Sequence, residues 1–168
     1  MAEALSPALS DRLEEDAHAL LSECCGRGLM LATAESCTGG LLASLLTDVP
    51  GCSHAFERGF VTYTNDAKHE LLGVPSDVLE DPGPVSDTVA RLMAEGALRA
   101  SRADIAVSVT GYADDDPELG GLVYFGAASR IAPTTSREER FGPLGRAQVR
   151  LECLRVALEM LDAKMRGG

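Results

Sequence analysis

Short apolar runs alternate along this chain with segments whose apolar residues recur at helical spacing, and most runs close on a small or polar turn. That alternation restricts the fold more than any other feature. Leu29 to Ala34 is too short for a helix and suits a buried strand. It is followed by the tight polar turn Ser36 to Gly40 and by a helical segment, Leu41 to Leu46, that stops at Pro50-Gly51. Ahead of it, Ser6-Pro7 reads as a cap and first residue of a helix with Leu9, Leu13, Ala17, Leu20 and Cys24 on one face, ending at Gly26 and Gly28. Phe60 to Thr64 alternates and carries Val, Thr and Tyr, as a strand does. Asn65 is placed to cap a helix running to Gly73, Pro82 to Pro84 form a turn, and Ser86 caps a longer helix with Val89, Leu92, Met93, Gly96 and Ala97 inward. Ile105 to Val109, Leu122 to Ala128 and Ser136 to Phe141 read as strands. A last helix starts near Arg146 and buries Val149, Cys153, Val156 and Met160.

Strands and helices in alternation build a sheet covered on both faces. The expected class is α/β: a three-layer α/β/α arrangement with a largely parallel or mixed central sheet, in one domain spanning 1–168. Segment order does not set strand order. In open sheets of this class, ligands bind at the carboxyl ends of the strands. Three such ends carry chemically able residues: Ser36, Tyr63 to Lys68, and Thr110-Gly111.

Composition removes several functions. The net charge of −11 repels a phosphate backbone and an anionic bilayer, so neither nucleic acid nor membrane is an expected partner. Trp is absent and aromatics are 4%, which leaves little surface for base stacking. Five cysteines without CxxC spacing support neither zinc nor a disulfide framework, so no metal and no cofactor is expected. Reduced thiols and the lack of a signal-like N-terminus point to the cytoplasm. A homo-oligomer is left open.

The Ser36–Gly40 turn joins a strand to a helix. Peptide N–H groups of Thr38, Gly39 and Gly40 would then be unpaired at the helix start and able to bind an anion or a developing oxyanion. Ser36 stands just before them, where a nucleophile belongs. An ordinary capped turn with buried Ser36 and Cys37 satisfies the same spacing. Cys37 is the rival nucleophile, but a cysteine hydrolase usually needs a histidine base, and His18, His54 and His69 are not well placed by sequence. Lys68, at the third position of a helix capped by Asn65, opposes the helix dipole. That field, with burial, would favour a neutral amine able to act as a base. A solvated lysine beside Glu70 fits the same spacing. Tyr63 can relay a proton or orient a ligand. Thr110 and Gly111 offer a hydroxyl and an N–H, and Arg146 and Arg150, one turn apart, can hold a carboxylate or phosphate.

Taken together, segments 34–40 (Ala-Glu-Ser-Cys-Thr-Gly-Gly), 47–51 (Thr-Asp-Val-Pro-Gly) and 56–65 (Phe-Glu-Arg-Gly-Phe-Val-Thr-Tyr-Thr-Asn) resemble the CinA C-terminal-domain family. The resemblance continues through Ala67-Lys68, 72–74, Val85-Ser86, 93–97 and 103–111, in order along nearly the whole chain. Stand-alone members of that family are nicotinamide-nucleotide amidohydrolases. The resemblance implies a three-layer α/β fold, hydrolysis of nicotinamide mononucleotide (NMN) to the acid with release of ammonia, and a Ser–Lys mechanism. Ser36 matches the nucleophile, Lys68 the base and Tyr63 a tyrosine near the site. It also implies a short form without the N-terminal molybdopterin-like domain of longer relatives.

Two segments depart from the family. After Thr110-Gly111 the family has a glycine-rich loop, where this chain has 112–121 (Tyr-Ala-Asp-Asp-Asp-Pro-Glu-Leu-Gly-Gly). Asp114 to Glu118 would oppose a substrate phosphate if the loop lined the pocket. The turn 142–146 (Gly-Pro-Leu-Gly-Arg) replaces a Gly-Asp-Arg-like turn but keeps Arg146. The expected reaction is therefore NMN hydrolysis on Ser36, Lys68 and Tyr63, with Thr38, Gly39, Gly40, Asn65, Thr110, Gly111 and Arg146 binding the substrate. The alternatives are a hydrolase of a different small amide and a non-catalytic nucleotide-binding paralogue.

Overall fold

The computed structural model describes residues 10–167. Its elements in chain order are α1 (Asp11–Arg27), β1 (Leu31–Glu35), α2 (Leu41–Thr47), β2 (Phe56–Val61), α3 (Asn65–Leu72) and α4 (Ser76–Glu80). They continue with α5 (Asp87–Arg99), β3 (Ile105–Gly111), β4 (Leu122–Ser129), β5 (Thr135–Arg140) and α6 (Arg146–Met165). The five strands lie in the order β2-β1-β3-β4-β5. β1 pairs in parallel with both β2 and β3, and β3-β4 and β4-β5 are antiparallel. The sheet is mixed, within the expected α/β class.

Side-chain alternation on the strands separates two cores. Leu31, Ile105, Val107, Val109, Val123, Phe125 and Ala127 face α1, α2 and α6. Ala32, Ala34 and Ala106 face α3, α4 and α5. The second face is lined by small groups, and α5 presses close to it. A Cβ on Gly126 would collide with the Ala90 carbonyl, and Ser108 Oγ donates to that same carbonyl at 2.5 Å. Gly96 in α5 likewise leaves no room for a Cβ against the Leu72 carbonyl of α3. Close packing of this kind excludes added volume.

Several boundaries differ from the sequence expectation. The proposed cap Ser6 lies outside the described residues. The described helix α1 starts at Asp11, where the Ser10 side chain accepts from the Leu13 amide. β2 covers Phe56–Val61 rather than Phe60 to Thr64, because residues 62–64 leave the sheet to cross the end of β1, with Thr62 N donating to Glu35 O at 2.8 Å. Thr64, not Asn65, caps α3 by accepting from the Ala67 amide at 3.1 Å. Lys68 is consequently the fourth helical residue, and its own N–H bonds Thr64 O. The short α4, with only Leu79 buried, was not expected. Ser86 caps α5 as expected, accepting from Val89 N at 3.3 Å.

Candidate active site

The parallel strands β1 and β3 and the exit of β2 bring their carboxyl ends together at one edge of the sheet. A cleft of about 250 Å³ lies there, lined by Ser36, Cys37, Tyr63, Asn65, Lys68, Thr110, Gly111, Asp114 and Arg146 among others. A larger groove of about 360 Å³ between α1 and α6 is walled by ion-paired side chains such as Arg155, Glu159, Asp162 and Arg166. Size therefore does not mark the site here; chemistry does.

Ser36 follows β1 directly and is 8% exposed. Its amide continues the sheet by donating to Val109 O at 2.9 Å. Lys68 enters from α3 and is 2% exposed, an unusual burial for an amine. Its Nζ lies 3.0 Å from Ser36 Oγ and donates to Thr62 O at 3.1 Å. Burial pulls this amine below the ordinary lysine value, opposed only by the nearby Cys37 thiol. With one N–H held by the Thr62 carbonyl, a neutral Lys68 can turn its lone pair to the serine hydroxyl. From the sequence, a neutral amine is expected from the helix dipole at a third position together with burial. In the structure burial is the cause of the lowered value, and Lys68 stands at the fourth position.

The turn between Ser36 and α2 is built by Glu35. This wholly buried carboxylate accepts from the amides of Gly40 (3.1 Å), Leu42 (3.0 Å) and Ala43 (2.8 Å), and from Thr33 Oγ1 at 3.3 Å. The start of α2 is thus already capped by an internal anion. Gly39 and Gly40 take φ of 59° and 95°, a left-handed turn that side chains disfavour. The expectation of free donors at Gly39 and Gly40 is therefore corrected: Gly40 N–H binds Glu35, and Gly39 N–H donates to Ser36 O at 3.1 Å. Thr38 is fully buried and lies behind the cleft lining.

Of the other expected residues, Tyr63 is 66% exposed and stands on the cleft rim. Asn65 and Arg146 are exposed and line the cleft. Arg146 is the first residue of α6 and makes no ion pair among the described residues. Thr110 is buried, with its hydroxyl donating to Pro84 O at 2.8 Å, so its side chain fixes the loop before α5. Gly111 lines the cleft, and a side chain there would strike β4.

Of the carboxylates in the acidic loop only Asp114 lines the cleft, beside Tyr112 and Ala113. Asp116 turns inward on its own loop and accepts from the Glu118 and Leu119 amides at 2.9 and 2.8 Å. Among the described residues no cluster of three or more His, Cys, Asp or Glu side chains is arranged to hold a metal ion. Cys37 also touches the cleft. The Cys153 thiol donates to the Cys37 sulfur, which holds Cys37 below and Cys153 above the ordinary thiol value. No histidine lines the cleft. Residues that sequence reasoning missed are Glu35, whose position before the turn reads as a strand end, and Thr62, which acts through its backbone.

Fold and site together define a mixed-sheet α/β protein with a buried Ser–Lys pair at the carboxyl ends of its parallel strands. Residues 12–165 match the CinA C-terminal domain, and the chain belongs to that family. It is 44% identical over 139 residues to the nicotinamide-nucleotide amidohydrolase PncC of Escherichia coli K12, covering 80% of this chain and 84% of the relative. A protein of Symbiobacterium thermophilum that carries the competence-damage inducible designation is 57% identical over 108 residues, or 62% of this chain. The chain spans only 25% of that relative's length, and 26–29% of two similar long relatives from Caldicellulosiruptor. The crystal structure of the competence/damage inducible protein CihA from Agrobacterium tumefaciens superposes with a TM-score of 0.89 at 45% identity, covering 92% of this chain and 96% of that one.

Proposed function

We propose that this protein is a carbon–nitrogen hydrolase that converts NMN to nicotinic acid mononucleotide and ammonia. The observation that carries the reading is the 3.0 Å approach of the buried Lys68 Nζ to Ser36 Oγ at the floor of the cleft. The family relationship and the PncC relative supply the reaction class.

Neutral Lys68 takes the Ser36 proton as Oγ bonds to the amide carbon. The tetrahedral intermediate then collapses, the C–N bond breaks, and Lys68 returns the proton to the leaving ammonia. Water, deprotonated by the same amine, cleaves the ester and frees Ser36. Arg146 serves the substrate phosphate, since its guanidinium is unpaired among the described residues and lines the cleft. Tyr63 and Asn65 border the bound ring and ribose from the rim. Unpaired cysteines fit an enzyme of a reducing compartment such as the cytoplasm. Among the described residues no helix is long and apolar enough to cross a membrane.

One observation favours a second reading. Asp114 shares the cleft with Arg146, which weakens the case for a dianionic phosphate and favours a less anionic amide. Ammonia release measured on NMN, nicotinamide riboside and nicotinamide decides between them. Preference for NMN, with a KM that rises about tenfold or more in Arg146→Met, supports the first reading. Preference for the riboside sinks it.

A further inference from the structure

Arg150 lies on α6 behind the cleft, and nothing in the reaction described so far uses it. Its Nη2 donates to Thr38 O at 2.8 Å, and its half-buried guanidinium makes no ion pair among the described residues. Its Nε is fully buried without a hydrogen-bond partner. An unpaired cation with a buried nitrogen is costly and asks for a reason.

The Thr38 carbonyl belongs to the same peptide unit as the Gly39 N–H, and that N–H donates to Ser36 O at 3.1 Å. Ser36 O in turn shares its peptide unit with the Cys37 N–H. The cation therefore heads a chain of two hydrogen-bonded peptide units that ends on the amide directly after the nucleophile. Hydrogen bonds in such a series polarise one another, and a charged donor at the head strengthens each. Among the described residues the Cys37 N–H meets no oxygen acceptor, only its own sulfur, and Cys37 lines the cleft. In α/β-hydrolases the N–H after the nucleophile is an oxyanion donor.

The geometry points to Arg150 as a positioning residue for hydrolysis: through the Thr38 and Ser36 carbonyls it fixes and polarises the Cys37 N–H as the oxyanion donor. This rests on Ser36 being the nucleophile but not on NMN being the substrate. Glu35 holds the other side of the same turn, so the donor is aimed by an anion and a cation from opposite flanks.

The test uses a small uncharged alkyl fluorophosphonate together with NMN turnover. In the labelling reaction Ser36 Oγ bonds to phosphorus, fluoride leaves and Lys68 takes the proton, so the phosphoryl oxygen occupies the oxyanion position whatever the natural substrate. Labelling of Ser36 is followed by mass spectrometry on the folded fraction of wild type, Arg150→Met and Arg150→Lys. Arg150→Met is expected to slow labelling and kcat by roughly 10- to 100-fold, below the loss of a whole donor, with KM changed less than about threefold. Arg150→Lys recovers part of the rate. Wild-type labelling rates in folded Arg150→Met overturn the proposal, as does a deficit that disappears at a lower temperature where the variant is fully folded. No labelling of wild-type Ser36 removes the nucleophile assignment and this proposal with it. Labelling of Ser36 without NMN turnover rejects only the substrate and leaves the Arg150 comparison intact.

Discussion

Lys68 Nζ and Ser36 Oγ lie 3.0 Å apart although the two residues are 32 positions apart in the chain. The contact joins a helix on one face of the sheet to the end of its second strand in space. Ser36→Ala is expected to abolish ammonia release, while Cys37→Ala retains most of it, because Cys37 pairs with Cys153 and has no histidine beside it. Steady-state assays of the two purified variants check this, and the opposite pattern would move the nucleophile to sulfur.

Lys68→Met should lower kcat by roughly 10²–10⁴-fold with the fold retained, and Lys68→Arg should not restore it, since a guanidinium stays protonated. Near-normal turnover by Lys68→Arg would exclude the base role. The wild-type rate should rise with pH along an acid limb set by loss of the Lys68 proton, at a value below the ordinary 10.5.

The same group predicts a pH-dependent stability. Its folded value is lowered, so the unfolded chain binds the extra proton between that lowered value and 10.5. Unfolding free energy therefore rises with pH across this window, and the contribution is lost as pH falls through the folded value. Urea unfolding of wild type and Lys68→Met at several pH values should show a steeper rise in the wild type, the difference being the Lys68 contribution.

Glu35→Gln is expected to destabilise the protein by about 2–3 kcal/mol, the scale of hydrogen bonds to a buried charged group. A carboxamide presents one oxygen and turns an NH₂ toward amides that now meet a carboxylate. Denaturant unfolding measures the loss. Activity should fall beyond the unfolded fraction, because the turn that carries Ser36 loosens. A variant as stable as wild type would show that the cap is dispensable.

In the acidic loop the carboxylates should separate. Asp114→Asn is expected to lower KM for NMN by roughly 3- to 10-fold at low salt, less as salt rises. Asp116→Asn should instead loosen the loop, since Asp116 holds the Glu118 and Leu119 amides. An unchanged KM for Asp114→Asn at both salt concentrations would show that the carboxylate does not meet the phosphate.

What could be read in the sequence follows from where each residue gets its constraint. The class and most elements were legible because β1, β3 and β4 are apolar runs buried on both faces, and α5 and α6 place apolar residues at helical spacing. β2 was displaced because it is an edge strand with Glu57, Arg58 and Gly59 at its centre, whereas the Val-Thr-Tyr stretch that looks like a strand continues past the sheet. Ser36 stood out at the end of a strand, and Lys68 as a cation near the start of a helix, against its dipole. Glu35 did not, and Arg150 stood out only as a possible ligand for an anion, not for the role the fold gives it. Their importance comes from amides and a carbonyl that approach only once the turn has folded back, and a glutamate after a strand or an arginine early in a helix carries no sign of that.

The strand order β2-β1-β3-β4-β5 has an effect on how this protein can change. Ser36, Lys68 and the Thr62 carbonyl sit just after β1, on α3 and on the exit of β2, all before the chain reaches β3. The loop that brings Asp114 to the cleft is the link between β3 and β4, on the other side of the centre, where the sheet turns antiparallel. A hairpin link can gain, lose or exchange residues while the strands beneath it keep their register. On the proposed reaction, the Ser36–Lys68 pair and the cleft-lining carboxylate Asp114 thus lie in different stretches of sequence, and descendants can change the charge that meets a substrate from the β3–β4 link without rebuilding that pair.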